Sequence, residues 1–397
     1  MIVLVSALAL GEGFRRLGHA PLIGEVIAGL ILGPSLLALV DTNPATNAGS
    51  GLGTVATLGI FFVVLAAGIE VGRSGLRQAV REGTAVVAVV EFIFPFYLGA
   101  LLAQALHYGP LQTLLLATGM AVTALPVSVR ILIDFDLLQT RLGRAIISVA
   151  VVNDMIAFAM LGVILTFQAS TNGADLLGGV AFGLGKILLF VLLVSIIGWL
   201  FLLKRKDGRL HLAAFTARLR RPEAAFGVAV ALALGMGALA EMLGIHFVVG
   251  VFYAGVFLTA EAVGVSQFAL VRNTTQSVGI GFLAPVFFAY VGLRINVPQV
   301  DWPLVAAVTA VAFMGKIIGG AIGGYAAGFR GRELAALGVG LNARGMMELL
   351  LADIGLEAGI IGQNLYSAIV FMTLITTVCT PILLKLLTKG PKVKMSL

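Results

Sequence analysis

The sequence predicts an all-α polytopic membrane protein. Of the 397 residues, 59% are hydrophobic and only 11% are charged, whereas soluble globular chains are about 45–50% apolar and about 25% charged. The apolar residues form long unbroken runs, such as Val3–Leu10 and Ile187–Leu203. A spanning helix needs about 20 apolar residues, whereas membrane barrels alternate apolar and polar residues within short strands. The composition therefore excludes a soluble enzyme, a disordered chain and a coiled coil, and the runs disfavour a barrel.

Loops and charged residues divide the chain into about thirteen apolar segments, which we predict to be transmembrane helices. They lie near residues 1–18, 20–40, 52–69, 84–106, 111–133, 142–167, 175–203, 223–242, 245–260, 275–293, 302–327, 333–352 and 361–387. We expect a first half with a linking helix (1–203), a basic loop (204–222), a second half (223–387) and a short tail (388–397), with no soluble regulatory domain.

The distribution of charge predicts the orientation of these segments. The net charge is +7, and the basic residues lie in short loops after odd-numbered segments, a pattern that favours topology over nucleic-acid binding. Loops after even-numbered segments are mostly acidic and contain Arg294 as their one base. Cytoplasmic loops are enriched in Lys and Arg. We therefore expect an integral protein of the cell membrane, with the N-terminus outside and the C-terminus in the cytoplasm.

The two halves of the sequence resemble each other. Segment three ends in Gly68–Val71 and segment ten in Gly292–Ile295, and both stretches read glycine, Ile or Leu, a charged residue and an aliphatic residue, 224 positions apart. An offset of seven segments is odd, so the halves would enter the membrane from opposite sides. That is the inverted-topology repeat of secondary transporters. Chance similarity between glycine-rich apolar helices is the alternative.

Segments five and twelve are counterparts in this repeat, and the sequence of each predicts an interrupted helix. Segment five contains Thr123–Pro126, and proline removes a backbone donor and clashes with the preceding turn. Segment twelve contains Asn342–Gly345. Broken helices at the centre of a membrane present free carbonyls and helix dipoles to a small ion. A simple packing kink is the alternative, but two kinks at matched positions favour an ion site where the two broken helices cross.

Asp154 is the strongest candidate for a functional residue. It follows Asn153 near the middle of segment six, with no base within eight residues. A carboxylate at that depth costs several kcal/mol unless it is protonated, paired or hydrated. A carboxyl group that holds a proton or a cation, one at a time, has the chemistry of an exchange transporter. The structural alternative is an aspartate satisfied by a neighbouring helix.

Five further charged residues have candidate roles. Lys316 in segment eleven could repel the cation from an empty site or stabilise a carboxylate between ions. Arg344 and Glu348 are four residues apart and can pair on one helix face, which favours a structural salt bridge. Glu91 and Glu70 are the acidic residues that could partner the site.

Several stretches resemble the monovalent cation:proton antiporter family, and most closely its Kef-type and plant cation/proton exchanger branch. These are Gly24–Ser35, Thr123–Val127, Asn153-Asp154 and Asn342–Leu349, which together span nearly the whole chain. The resemblance implies a thirteen-helix sodium/proton antiporter fold, a homodimer, and a core of segments three, five, six, ten, eleven and twelve that moves against a dimerisation domain.

By the same resemblance, Asp154 would bind the ion, Thr123 would lie near it, and Lys316 would be the basic residue facing the site. Some relatives have two adjacent aspartates, whereas the first position here is Asn153. Lys316 therefore cannot form a salt bridge at that position. Kef-type relatives also often carry a cytoplasmic nucleotide-binding domain, and from this sequence we expect none, and therefore no ligand gating of that kind.

We therefore expect exchange of Na⁺ or K⁺ for H⁺ by alternating access, with no cofactor and no enzymatic activity. One titrating carboxylate predicts electroneutral one-for-one exchange. A cation channel or an ion sensor without coupled proton movement is the alternative, although a channel should have a repeated selectivity filter and none is evident. The choice between Na⁺ and K⁺ stays open.

Overall fold

A computed structural model describes residues 1–40, 47–81, 84–138, 140–169 and 223–388, together with isolated positions between 185 and 196. Within these residues the chain is helical and contains no strand. In the described part of the chain, eight helical stretches are long and apolar enough to cross a membrane, and Pro21–Leu32 and Phe247–Phe257 are shorter apolar helices. The all-α membrane class is therefore confirmed. The seventh predicted segment (175–203), the basic loop (204–222) and nearly all of the tail lie outside the continuously described ranges.

The first half contains seven described helices. They are α1 (Ile2–Arg16), α2 (Pro21–Leu32), α3 (Asn47–Arg81), α4 (Ala85–Ala105), α5 (Pro110–Ala121), α6 (Leu125–Asp134) and α7 (Arg141–Ala169). The second half contains α8 (Ala224–Met242), α9 (Phe247–Phe257), α10 (Ala260–Val263), α11 (Val265–Val278), α12 (Ala284–Leu293), α13 (Trp302–Ala326), α14 (Gly331–Gly340), α15 (Met346–Glu357) and α16 (Gln363–Thr388). A π-helical turn at Gly279–Leu283 joins α11 to α12, and a 3-10 turn covers Val297–Gln299.

Two helices extend further than their apolar runs. The third segment was predicted at 52–69, but α3 continues to Arg81, so Glu70 lies inside a helix. The tenth was predicted to begin at 275, but α11 begins at Val265. Arg, Gln, Leu and Ala are good helix formers, so a helix can continue after the chain has left the apolar region. Hydropathy predicts where the apolar region of a helix ends, but it does not predict the residue at which the helix itself ends.

The chain divides into two compact units. The first comprises Met1–Gly53, Leu76–Ala157 and Phe288–Leu397, and the second comprises Thr54–Gly75 and Phe158–Phe287. Predicted segments five, eleven and twelve lie in the first unit, and so does the part of segment six that carries Asp154. The apolar part of segment three lies in the second unit, and segment ten is divided between the two.

Within the first unit, a glycine stripe brings α13 against α4. Gly315, Gly319 and Gly323 recur every four residues and therefore share one helix face. A Cβ atom added at each glycine would lie 3.0–3.1 Å from atoms of α4. Small residues let membrane helices approach closely. This close approach puts Lys316 of α13 beside Glu91 of α4.

The contact between α2 and α12 is closer still, and it yields a prediction about stability. A Cβ atom added at Gly29 would lie 1.8 Å from the backbone oxygen of Ala289. Because backbone cannot give way as a flexible side chain can, we expect Gly29→Ala to lower the free energy of unfolding by about 1–3 kcal/mol. Thermal denaturation in detergent micelles measures the effect.

Gly13→Ala is the matched control, because a Cβ atom at Gly13 meets nothing within 4 Å. Alanine favours helix over glycine, so this variant should be as stable as the wild type or slightly more so. Equal melting temperatures for Gly29→Ala and the wild type would show that the two helices are not packed this closely.

Candidate ion-binding site

The helix of predicted segment five is interrupted at the expected place. It ends at Ala121, the backbone is extended at Val122 and Ala124, and α6 begins at Leu125. Pro126 is the second residue of α6, within the first turn, where the missing N–H costs no helical hydrogen bond. The proline therefore begins the second half-helix, and the break immediately precedes it.

The helix of predicted segment twelve is interrupted as well, and the two breaks touch. Here α14 ends at Gly340 and α15 begins at Met346. The Ala124 N–H donates to the Ala343 carbonyl at 2.8 Å, and the Thr123 hydroxyl donates to the Leu341 carbonyl at 2.8 Å. The two unwound stretches therefore satisfy part of each other's backbone, and the predicted crossing of two broken helices is confirmed.

Arg344 binds the end of the other broken helix. Its guanidinium is fully buried and donates to the carbonyls of Gly119 at 2.6 Å and Met120 at 2.7 Å, in the last turn of α5. The last carbonyls of a helix lack backbone donors, and a cation there also interacts favourably with the helix dipole. Arg344 thus holds the α5 terminus against the second unwound stretch.

The predicted pair of Arg344 and Glu348 is present, but it is not the shortest contact of either residue. Glu348 Oε1 lies 3.6 Å from Arg344 Nη1. Glu348 Oε2 accepts from the Gly345 N–H at 2.9 Å and thereby caps the first turn of α15. Both side chains are fully buried. Arg344 and Glu348 therefore face each other as a charged pair, and each also binds backbone groups of the interrupted helices.

Lys316 joins α13, α4 and the first unwound stretch. Its ammonium donates to Glu91 Oε1 and to the Ala121 carbonyl, and to Thr123 Oγ1 at 2.7 Å. Lys316 and Glu91 are both fully buried. Of the two acidic partners that the sequence left open, the structure pairs Glu91 with Lys316. Because Asn153 carries an amide, Lys316 cannot form a salt bridge at that position, as expected. Glu91 of α4 supplies the carboxylate that pairs with Lys316.

Asn153 extends the same network. Its amide nitrogen donates to Glu91 Oε2 at 2.7 Å, while its amide oxygen is buried and has no hydrogen-bond partner among the residues that the structure describes. Asp154 follows it and is 1% exposed. Asn342, in the second unwound stretch, also has a buried amide oxygen to which no described residue donates a hydrogen bond. Most buried polar atoms in proteins have a hydrogen-bond partner. An amide oxygen is chemically similar to the backbone carbonyls that replace the hydration shell of an ion in selectivity filters, so these two oxygens are candidate cation ligands.

Glu70 has a different environment from the other predicted site residues. It belongs to the second unit, where it accepts a hydrogen bond from Gln276 Nε2 at 3.0 Å. Five other predicted site residues lie in the first unit and contact one another directly or through shared partners: Thr123, Asn153, Lys316, Arg344 and Glu348. Asp154 lies on the same helix as Asn153.

Sequence reasoning missed two parts of this arrangement. Asn342 was recognised as part of an interrupted helix, but its free oxygen was not foreseen. Thr377 of α16, which donates to the Arg344 carbonyl at 2.8 Å, was not singled out at all. The run of threonines in α16 was the available sign, because polar residues in a membrane helix require an explanation.

The sequence of this chain is similar to known proteins over nearly its whole length. Residues 2–390 match the model of the family described as "Sodium/hydrogen exchanger, transmembrane". The Na(+)/H(+) antiporter NhaS4 of Synechocystis is 30% identical, with 97% of this chain and 95% of that protein covered. The Na(+)/H(+)-K(+) antiporter GerN of Bacillus cereus is 26% identical, with 97% and 94% covered.

The fold also matches a solved structure. The sodium proton antiporter MjNhaP1 from Methanocaldococcus jannaschii superposes with a TM-score of 0.68 over 98% of this chain and 95% of that chain, at 16% sequence identity. At that level of identity the similarity establishes the fold.

Proposed function

We propose that this chain, which belongs to the sodium/hydrogen exchanger family, exchanges a monovalent cation, Na⁺ or K⁺, for H⁺ across the membrane by alternating access. The observation that carries the proposal is the arrangement of the first unit, in which two broken helices cross and a buried carboxyl group, Asp154, lies on a helix that contacts the same network. Broken helices with free backbone groups are typical of ion sites in secondary transporters.

Two buried acids near the crossing lie beside buried bases. Glu91 binds Lys316, and Glu348 lies beside Arg344. Removing one partner from such a pair would leave an uncompensated buried charge, so neither pair can readily give up its charge during a cycle. We propose that Asp154 carries the exchangeable proton, because its carboxyl group is 1% exposed and lies on the helix that also carries Asn153.

In this mechanism Asp154 holds a proton in one half of the cycle and a cation in the other. The amide oxygens of Asn153 and Asn342 are the further ligands that we propose for the cation, because both are buried and lack a hydrogen-bond partner within the described part of the chain. Glu91 accepts from the Asn153 amide nitrogen, which directs the amide oxygen away from Glu91. Thr123 would fix the unwound backbone through its hydroxyl and approach the ion through its backbone.

The test is proton flux in proteoliposomes, followed with a pH-sensitive dye and driven by gradients of Li⁺, Na⁺, K⁺ and Rb⁺ in turn. We expect at least Na⁺ or K⁺ to drive proton movement in the opposite direction. A cation conductance without proton movement would instead identify a channel, and cation binding without any flux would identify a sensor.

The paired charges also predict the stoichiometry. If Asp154 alone titrates, one cation leaves for each proton that enters, and no net charge crosses the membrane. A second titrating acid would move net charge, at about 2.3 kcal/mol per charge per 100 mV. We therefore expect Na⁺-driven flux across liposomes that already hold a K⁺ gradient to keep the same rate when valinomycin is added, although a potential of about 100 mV then develops at unchanged ion concentrations. A transport current on a solid-supported membrane would contradict this expectation.

We further propose a homodimer in the cell membrane, with the N-terminus outside. The dimer follows from the family resemblance alone, and the orientation follows from the basic residues in the odd-numbered loops. Chemical labelling of single cysteines placed in Asp301–Trp302 and Arg330–Gly331, in a background that lacks Cys379, would test the orientation.

A further inference from the structure

Helix α16 carries four buried threonines, and one of them differs from the rest. Their relative exposure is 0–1%. Three donate to carbonyls of α16 itself: Thr373 to Ile369 at 2.9 Å, Thr376 to Met372 at 2.8 Å, and Thr380 to Thr376 at 2.7 Å. Thr377 donates instead to the Arg344 carbonyl, at 2.8 Å.

Donation to the preceding turn is the usual way in which a threonine hydroxyl is satisfied in a membrane helix. For Thr377 that acceptor is the Thr373 carbonyl, which Thr376 Oγ1 approaches at 3.2 Å. Thr377 therefore bonds across to another element, although a local acceptor lies on its own helix.

The Arg344 carbonyl lies in the unwound stretch, where the helical pattern of backbone hydrogen bonds is interrupted. The side chain of Arg344 binds the carbonyls at the end of α5. Arg344 is thus held on one side by α5, through its guanidinium, and on the other by α16, through its carbonyl. Because α16 is one helix from Gln363 to Thr388, with Pro381 inside it, it anchors through Thr377 a stretch that has no helical structure of its own.

We propose that Thr377 is a positioning residue for the cation site: its hydroxyl fixes the unwound stretch 341–345 and so sets the affinity for the transported cation. This inference rests on the proposed function. Asn342, whose amide oxygen we assign to the cation, lies two residues before Arg344. A shift of this backbone would therefore move a ligand without removing it.

The test compares Thr377→Val with Thr373→Val and Thr380→Val. Each substitution exchanges a hydroxyl for a methyl group at almost the same volume, but only the first breaks a bond to the unwound stretch. We measure the apparent KM and the maximal rate of cation-driven proton flux, together with the melting temperature. A buried acceptor left without its donor costs about as much free energy as a tenfold change in affinity. We expect Thr377→Val to raise KM about tenfold and the two controls to change it less than twofold.

Two variants of the same position make the result decisive. Thr377→Ser keeps the hydroxyl and should restore KM to within about twofold of the wild type. If Thr377→Val does not accumulate in the membrane, Thr377→Cys, whose thiol is a weaker donor, should raise KM about threefold. An unchanged KM in the folded Thr377 variants would overturn the proposal, and so would an equal rise in KM in all three valine variants.

The outcomes separate this inference from the proposed function. Wild-type protein that exchanges cations for protons, with a Thr377→Val variant of unaltered KM, defeats the role of Thr377 alone. Wild-type protein that shows no cation-driven proton flux defeats the proposed function, and the role of Thr377 fails with it.

Discussion

Replacing Asp154 by asparagine should abolish cation-driven proton flux and leave the protein folded. Asparagine has nearly the same shape as aspartic acid, but it cannot take up or release a proton and carries no charge to neutralise a cation. A buried neutral amide is also less costly than a buried carboxylate. We therefore expect the flux in proteoliposomes to fall to that of protein-free liposomes, while the melting temperature stays equal or rises.

The matched control is Asp134→Asn. Asp134 ends α6 and pairs with Arg130 at 3.0 Å, with 34% of its side chain exposed. Exposed pairs contribute about 0–1 kcal/mol, so this variant should exchange at the wild-type rate. Flux above background in a correctly folded Asp154→Asn protein would mean that another group carries the proton.

Replacing Lys316 by methionine should be the most destabilising of the conservative changes near the site. The variant removes the only cation that the described residues place against Glu91 and leaves that carboxylate buried. Breaking a buried ion pair on one side costs about 3–5 kcal/mol. We expect a large fall in the melting temperature in detergent and reduced accumulation in the membrane.

The double variant Glu91→Gln with Lys316→Met should recover most of this loss, because it removes both charges and leaves nearly isosteric groups. The coupling between the two sites follows from the four melting temperatures. Additive effects of the two substitutions would show that Lys316 and Glu91 do not stabilise each other. Exchange by the stable double variant would further show that the pair supports the site without carrying the proton.

The sequence predicted the features that depend on local patterns. Long apolar runs gave the helical membrane class, and Pro126 gave the interruption of one helix. The spacing of Arg344 and Glu348 indicated a pair because four residues make one helical turn. The site roles of Asp154, Asn153 and Thr123 remain predictions.

Contacts between distant parts of the chain could not be predicted in the same way. Glu91 and Lys316 are 225 residues apart, and they meet because a glycine stripe brings α13 against α4. No local pattern distinguishes Glu91 from Glu70 as the partner of Lys316. Thr377 and Arg344 are 33 residues apart, and their contact depends on how α16 packs beside an unwound stretch.

The most direct test of the account is the dependence of cation binding on pH. If Asp154 holds either a proton or a cation, the two compete for one site, and the binding midpoint shifts by mass action. We expect the midpoint for Na⁺ or K⁺, measured by thermal stabilisation of the purified protein, to rise about tenfold per unit fall in pH once protons occupy the site. A midpoint that stays constant from alkaline to acid pH would contradict competition at a shared carboxyl group.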